Sequence, residues 1–288
     1  MDFNKPIQKE WDELPSLDSA NTVFEPKRDG VRICISSEVN NHERYFLTKT
    51  YSYSISQFPE LKSDLDNFLP KRIPVMLDGE LVTETPNGDN FSNTSSRVLM
   101  NPSKSRIYSK IDSRKLTYVV FDIMEYGDGG TPDIQDSPLS YRRELLENMF
   151  QDWKDDYATV GNLKLIERLE NKKDITKEYC FENNLEGIVV KDNRMPYDSN
   201  WYKIKAYHDG IFKIVSVENG KRDYIMTLSN DKDEIVGNCT LFRKHCWDPN
   251  TVDELVGKKV DVSYMNGPNE KLRFPVFKRF MEDMNYLQ

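Results

Sequence analysis

Residues 25–36 read EPKRDGVRICIS. A short charged stretch closed by Gly30 runs directly into Val31, Ile33 and Ile35, the period-two alternation of a half-buried strand. Lys27 therefore sits just before a strand. The first 25 residues are polar and hold Pro6 and Pro15. Taken alone, Lys27 reads as a solvated surface lysine.

Outward from this stretch the pattern alternates between strands and helices. A second strand is expected at Arg44–Lys49, then a helix over ISQFPELKSDLDNFL, where Ile55, Phe58, Leu61, Leu65 and Phe68 recur at helical spacing. PVMLDGELVTE and KLTYVVFDIMEY read as buried strands, yet they carry Asp78, Glu80 and Asp122 where a structural strand would be apolar. YGDGGTPDIQDSP reads as loop, and LSYRRELLENMFQDW as an amphipathic surface helix serving as scaffolding. After a helix around Ile175–Glu182, NNLEGIVVKDN and WYKIKAY give two short strands bearing Glu186, Lys191, Lys203 and Lys205.

From about Tyr207 the pattern changes to short strands separated by turns: IFKIVSV, DYIMTLS, KKVDVSYM and RFPVFKRF. This suits a small barrel such as an OB-fold. The length of 288 residues, at roughly 150 residues per domain, also gives about two domains.

Composition excludes several classes. With 38% hydrophobic residues, 15 Tyr and 14 Phe and no low-complexity tract, the chain reads as a folded globular protein. The beginning, MDFNKPIQKEWDEL, has no apolar core of a signal peptide, and no stretch approaches the ~20 apolar residues of a membrane helix. A cytoplasmic protein without membrane contact is expected. Cys34, Cys180, Cys239 and Cys246 form no CxxC pair, which argues against a four-cysteine zinc site and against a disulfide framework. His245 and Cys246 are adjacent, and adjacent strand residues point to opposite faces, so they are not read as a ligand pair. A net charge of -8 argues against non-specific coating of nucleic acid and leaves room for a local basic groove.

With the scaffold set aside, the unusual residues are Lys27, Asp29, Arg32, Glu80, Phe121, Asp122, Glu186, Lys203 and Lys205. A lysine near other cations has its ammonium destabilised and can act as a nucleophile, and Lys203 and Lys205 are candidates for those neighbours. Two residues apart on one strand, they project to one side, where two cations suit a triphosphate. Glu80 and Glu186 offer hard oxygen ligands for a divalent metal of the kind used in phosphoryl transfer. Asp29 and Asp122 fit either a direct role or the orienting of a lysine or capping of a turn. Phe121 fits either a stacking role or plain core.

These residues carry a resemblance. KRDGVR resembles the KxDGxR motif of the covalent nucleotidyltransferases, the superfamily of DNA ligases, RNA ligases and mRNA capping enzymes. LDGELV, YVVFDIM, LEGIVVK and WYKIK resemble the later motifs, in family order, and their wording is closest to ATP-dependent DNA ligases of the compact two-domain kind. The resemblance runs from about Glu25 to the C-terminus.

It implies an α+β protein: a nucleotidyltransferase (adenylation) domain of antiparallel sheets with flanking helices over residues 1–206, then a C-terminal OB-fold β-barrel over 207–288. It implies that Lys27 attacks the ATP α-phosphate, that Arg32 and Glu80 bind the sugar and phosphate side, and that Phe121 stacks on adenine. Glu186, with Glu80, would hold Mg2+ or Mn2+, Lys203 and Lys205 would neutralise charge developing on the α-phosphate, and Glu25 would help recognise adenine. AMP would pass to the 5′-phosphate at a nick in double-stranded DNA, and the 3′-hydroxyl would then seal the strand. DNA repair, replication and recombination, and a monomeric enzyme, are the expected setting.

KLRFPVFKRF resembles the sixth motif, with Arg273, Pro275 and Phe277 in RxPxF order. Where DNA ligases continue with an arginine and then a lysine, this chain has Met281 and Met284, so Lys278 or Arg279 is expected to take over the phosphate contact. In TKTYS, Lys49 stands where ligases show an arginine, keeping the charge and losing bidentate recognition. Arg273, Lys278, Arg279 and Lys49 are thus the candidate DNA or phosphate contacts. Only ENGKR lies between IFKIVSV and DYIMTLS, too short for an inserted DNA-encircling latch. The alternatives are an RNA ligase or mRNA capping guanylyltransferase, and a non-catalytic nick-binding protein. An NAD-dependent ligase is disfavoured because its zinc-binding cysteines are lacking.

Overall fold

The computed structural model describes residues 5–37, 44–47, 52–70, 73–127, 133–156, 161–170, 172–243, 254–265 and 271–281. Lys49, Met284 and the pair His245–Cys246 lie outside the described residues. By contact the chain divides into two compact units, Met1–Lys205 and Ala206–Gln288. No helix among the described residues is long and apolar enough to cross a membrane.

In the first unit the strands are β1 (Ile7–Lys9), β2 (Thr22–Pro26), β3 (Val31–Ser37), β4 (Arg44–Leu47), β5 (Ser52–Ser54), β6 (Val75–Val82), β7 (Glu84–Thr85), β8 (Gly88–Asp89), β9 (Thr117–Tyr126), β10 (Leu163–Leu165), β11 (Gly187–Asp192) and β12 (Tyr202–Lys205). The helices are α1 (Leu14–Leu17), α2 (Pro59–Phe68), α3 (Phe91–Leu99), α4 (Pro102–Tyr108), α5 (Leu139–Asp156) and α6 (Lys177–Glu182). One sheet runs β10-β9-β6-β3-β4-β5 and another β1-β12-β11-β2. Both are antiparallel except at one edge, where β10 pairs with β9 and β1 with β12 in parallel.

The core lies on one face of the six-stranded sheet. Ile33, Ile35, Leu77, Tyr118, Val120 and Ile123 meet Leu61, Leu65 and Phe68 of α2, and Leu146, Met149, Phe150 and Trp153 of α5. Each such large apolar side chain contributes roughly 1.5–3 kcal/mol on burial. The expected helix from Ile55 is split: a single 3-10 turn covers Ile55–Gln57, and α2 starts afresh at Pro59. Proline fixes its own φ and disfavours helical backbone at the preceding residue, and Phe58 is non-helical at φ -125°, ψ 64°. The expected helix at Ile175–Glu182 begins two residues later, where the Thr176 side chain accepts a hydrogen bond from the Tyr179 N–H as its N-cap.

The second unit holds β13 (His208–Asn219), β14 (Tyr224–Ser229), β15 (Ile235–Leu241), β16 (Lys259–Met265) and β17 (Arg273–Phe280), closed in the order β13-β14-β15-β17-β16. Ile214, Met226, Leu228, Val260 and Val262 fill its interior. The sequence pattern gave no sign of β15, because Gly237 and Asn238 interrupt its alternation. Barrel closure recruits it and turns Val236, Cys239 and Leu241 inward. β13 and β14 are joined through Gly220–Asp223, where the Gly220 N–H donates to the Asp223 carbonyl at 2.8 Å.

Candidate functional site

The turn between β2 and β3 presents Lys27, and it is braced from two sides. On one side the Lys27 backbone N–H donates to the Gly187 carbonyl at 2.9 Å. On the other, Arg28 grips the β7–β8 hairpin: its Nε and Nη2 reach the two Asp89 carboxylate oxygens at 2.8 and 2.7 Å, and Nη2 reaches Glu84 at 2.9 Å. Asp89 also accepts from the Asp29 N–H at 3.0 Å. Gly30 closes the turn against β6, where a Cβ would stand 2.0 Å from the Leu81 carbonyl oxygen.

Lys27 Nζ then lies 2.5 Å from Glu186 Oε2, and Lys205 Nζ lies 2.7 Å from Glu186 Oε1. One carboxylate therefore bridges two ammonium groups contributed by β12 and the β2–β3 turn. Burial opposes ionisation of Glu186, but the attraction of Lys27 and Lys205 outweighs it and holds the carboxyl below its usual range. Lys203, two residues before Lys205 on β12, faces the same space. Burial, with Lys27 and Lys205 nearby, holds its pKa below the usual lysine value. Gly187 permits this convergence, since a Cβ there would stand 2.1 Å from the Ile204 carbonyl oxygen of β12.

Beside this cluster opens a cavity of about 220 Å3 lined by Glu25, Lys27, Arg32, Glu80, Phe121, Ile166, Val189, Lys191, Trp201 and Lys203, among others. Glu80 has no ion-pair partner among the described residues: burial pushes its pKa up to about 8, against the pull of Lys27 and Arg32. Arg32 is fixed beneath the cavity by the buried Asp78, with Nε at 3.0 Å and Nη2 at 2.6 Å, while Tyr197 donates its hydroxyl to Asp78 at 2.6 Å. The Arg32 guanidinium lies 5.3 Å from the Phe121 ring centre and 5.6 Å from that of Trp201. In the cavity wall Glu25 pairs with Lys191 at 2.7 Å.

Phe121 lies at a β-bulge. Asp78 faces Asp122 across β6 and β9 while Gly79 faces Val120, so β9 carries one extra residue. In consequence Tyr118, Val120 and Ile123 point into the helical core, a step of three replacing a step of two, while Phe121 stays on the side of Val119 and lines the cavity.

Of the residues singled out in the sequence, Glu25, Lys27, Arg32, Glu80, Phe121 and Lys203 share this cavity, and Glu186 and Lys205 join it through Lys27. Asp122 does not: it is fully buried and bound by Arg142 Nε and Nη2 at 2.7 and 3.0 Å. Helix α5, read as surface scaffolding, thereby contributes a fully buried arginine. In the barrel, Lys278 pairs with Asp209 at 2.8 Å, Arg279 with Asp261 at 3.2 Å, and the Arg273 guanidinium lies 4.9 Å from the Phe274 ring centre. Met281 is exposed. Sequence reasoning missed Lys191, Trp201, Asp78 and Asp89 as parts of the site. For Lys191 and Asp78 there was a signal, a charge inside an otherwise apolar strand.

Residues 5–205 match the family model described as the ATP-dependent DNA ligase domain. The chain is 30% identical over 195 residues to the SPbeta prophage-derived DNA ligase-like protein LigB of Bacillus subtilis (strain 168), covering 65% of this chain and 62% of that protein. It is 30% identical over 128 residues to DNA ligase C of Mycobacterium tuberculosis, covering 43% of this chain and 32% of that protein. The aligned part thus spans less than two thirds of the length of either relative. Among solved structures, a Lig E DNA ligase superposes with a TM-score of 0.64 at 17% identity, covering 97% of this chain and 99% of that chain. At that identity the likeness speaks for fold alone: a nucleotidyltransferase-type unit and a barrel of OB type. The family match extends across nearly all of the first unit, and on that ground this chain belongs to the ATP-dependent DNA ligase domain family.

Proposed function

We propose that this chain is an ATP-dependent DNA ligase that seals nicks in duplex DNA through lysyl-AMP and DNA-adenylate intermediates. The observation that carries the reading is Lys27, held by the Glu186–Lys205 pair and lining a cavity that also presents a buried Glu25 acceptor to a nucleobase. In the first step Lys27 Nζ forms a bond to the α-phosphorus of ATP as the α–β phosphoanhydride breaks and pyrophosphate leaves. Glu186 is the nearest acceptor for the proton that Lys27 gives up. Lys203 and Lys205 neutralise the charge that builds on the α-phosphate, the contribution that dominates phosphoryl transfer. AMP then passes to the 5′-phosphate at the nick, and the 3′-hydroxyl displaces it.

Within the cavity we assign Phe121 to stacking on adenine, Arg32 and Glu80 to the ribose and phosphate side, and Glu25 to the adenine amino group. This last role is supported by Glu25 Oε1, which is buried and has no hydrogen-bond partner among the described residues. The same reading assigns residues 1–206 to an adenylation domain and 207–288 to an OB-fold domain. Arg273, Lys278 and Arg279 would meet phosphates, Lys278 and Arg279 by giving up their pairs with Asp209 and Asp261. A monomeric cytoplasmic enzyme serving DNA repair, replication or recombination completes the proposal.

The donors present fit a divalent cation. Glu80 accepts no hydrogen bond from a described side chain, and Glu186 is held ionised; two carboxylates and no larger cluster among the described residues match Mg2+ or Mn2+, which take one or two carboxylates with substrate phosphates and water. When bound, the ion would supply positive charge to the triphosphate.

Incubation with Mg2+ and α-labelled ATP is expected to leave a label on the denatured protein that Lys27→Ala abolishes and that chases onto nicked DNA. Label from GTP alone, or transfer to RNA nicks alone, would favour a capping enzyme or an RNA ligase. Absence of label on folded, AMP-free protein would leave a nick-binding protein.

A further inference from the structure

Lys191 stands on β11 two residues beyond Val189, which is the register partner of Glu25 on β2, so the two side chains share one face of the sheet. Their ion pair is sealed: Lys191 Nζ lies 2.7 Å from Glu25 Oε2, with side chains only 1% and 3% exposed. The remaining donors of the ammonium are also placed. Nζ donates to the Phe121 carbonyl at 3.3 Å and stands 4.1 Å from the Trp201 ring centre and 5.0 Å from that of Phe121. Glu25, by contrast, is only half satisfied, because Oε1 is buried and has no hydrogen-bond partner among the described residues.

A buried carboxylate oxygen left without a donor is costly, and such atoms call for a ligand or another explanation. Both residues line the 220 Å3 cavity. We propose that Lys191 is the positioning residue that sets the nucleobase preference of this cavity: by taking Oε2 it leaves Oε1 as a pure acceptor for a purine 6-amino group. The proposal rests on the nucleotide role of the cavity proposed above. A 6-amino purine supplies the missing donor. A 6-oxo purine sets a second acceptor against Oε1 and is rejected.

The lysine acts by holding the Glu25 side chain in one orientation through Oε2. With a neutral residue in its place, the carboxylate loses the partner that fixes its orientation, and Oε1 no longer meets a 6-amino group at one set position. Discrimination then falls, although Lys191 itself need not touch the nucleotide.

The test compares the rates at which α-labelled ATP and α-labelled inosine triphosphate, which differ at purine position 6, label Lys27. The wild-type chain is expected to favour ATP. Lys191→Met is expected to lower the ATP-to-ITP ratio by roughly tenfold or more, the effect of mispairing one buried hydrogen-bonding group. Glu25→Gln is expected to lower it similarly, and Glu25→Gln with Lys191→Met to match Glu25→Gln alone. The double variant leaves no lone buried charge and keeps the test available should Lys191→Met not fold. A Lys191→Met protein that labels more slowly with both nucleotides at an unchanged ratio would reduce Lys191 to a structural residue and overturn the proposal. So would a further change in ratio when Lys191→Met is added to Glu25→Gln. Wild-type protein that takes no label from ATP would instead sink the nucleotide reading itself.

Discussion

Glu80 and Glu186 are two glutamates of one site driven in opposite directions. Glu186 gains two ammonium partners, whereas Glu80 gains burial without one. The consequences for stability have opposite signs. Because Glu80 titrates near 8 in the folded chain against an ordinary 4.5, its protonated form favours the folded state, and that advantage is lost as pH rises from 4.5 to about 8. Glu186, held low, contributes stability above 4.5 that is lost as pH falls below it. Glu80→Gln is therefore expected to flatten the pH dependence of unfolding free energy between 4.5 and 8, read by denaturant titration, while leaving the acid-side loss in place. A variant whose profile parallels the wild type across that window would contradict the burial of Glu80.

At the level of elements, the β7–β8 hairpin acts as a brace for the turn that carries Lys27. Asp89 receives Arg28 through both carboxylate oxygens and also the Asp29 N–H. Asp89→Ala is expected to cost about 1–3 kcal/mol, the range for leaving a charged partner unsatisfied, and to slow labelling of Lys27. Wild-type labelling rates in a destabilised Asp89→Ala chain would confine the hairpin to a structural role. Elements differed in how plainly the sequence announced them. The strands around Lys27 and the pair LEGIVVK and WYKIK were legible because apolar alternation and an interrupting charge are local properties. The break at Phe58–Pro59 was legible in principle from the proline, but helical periodicity across it masked the stop. The bulge in β9 was not legible, since YVVFDIM alternates equally well with or without an extra residue.

For the whole molecule, two separate cores support two units. The barrel carries its own interior of Ile214, Tyr224, Met226, Leu228, Val260 and Val262. Residues 206–288 expressed alone are expected to unfold in one cooperative thermal transition by circular dichroism. A featureless melt would show that the barrel depends on the remainder of the chain. The net charge of -8 bears on the same scale: attraction to a polyanion must come from local groups such as Lys203 and Lys205 and not from the overall field.

The sequence by itself determined the order of strands and turns around Lys27, the presence of a small barrel, and the set of lysines and carboxylates that meet in one place. Periodicity and motif order carry that information along the chain. The tertiary structure alone decided the pairings. Lys27 and Glu186 are 159 residues apart, and it is the register of β2 on β11 and of β11 on β12 that joins them with Lys205. The same register sets Lys191 against Glu25, whose Oε1 has no donor among the described residues, while in the other sheet the pairing of β9 with β6 and the packing of α5 give Asp122 to Arg142 and keep it out of the cavity. Such partnerships depend on which strands lie side by side, and local spacing carries no record of that.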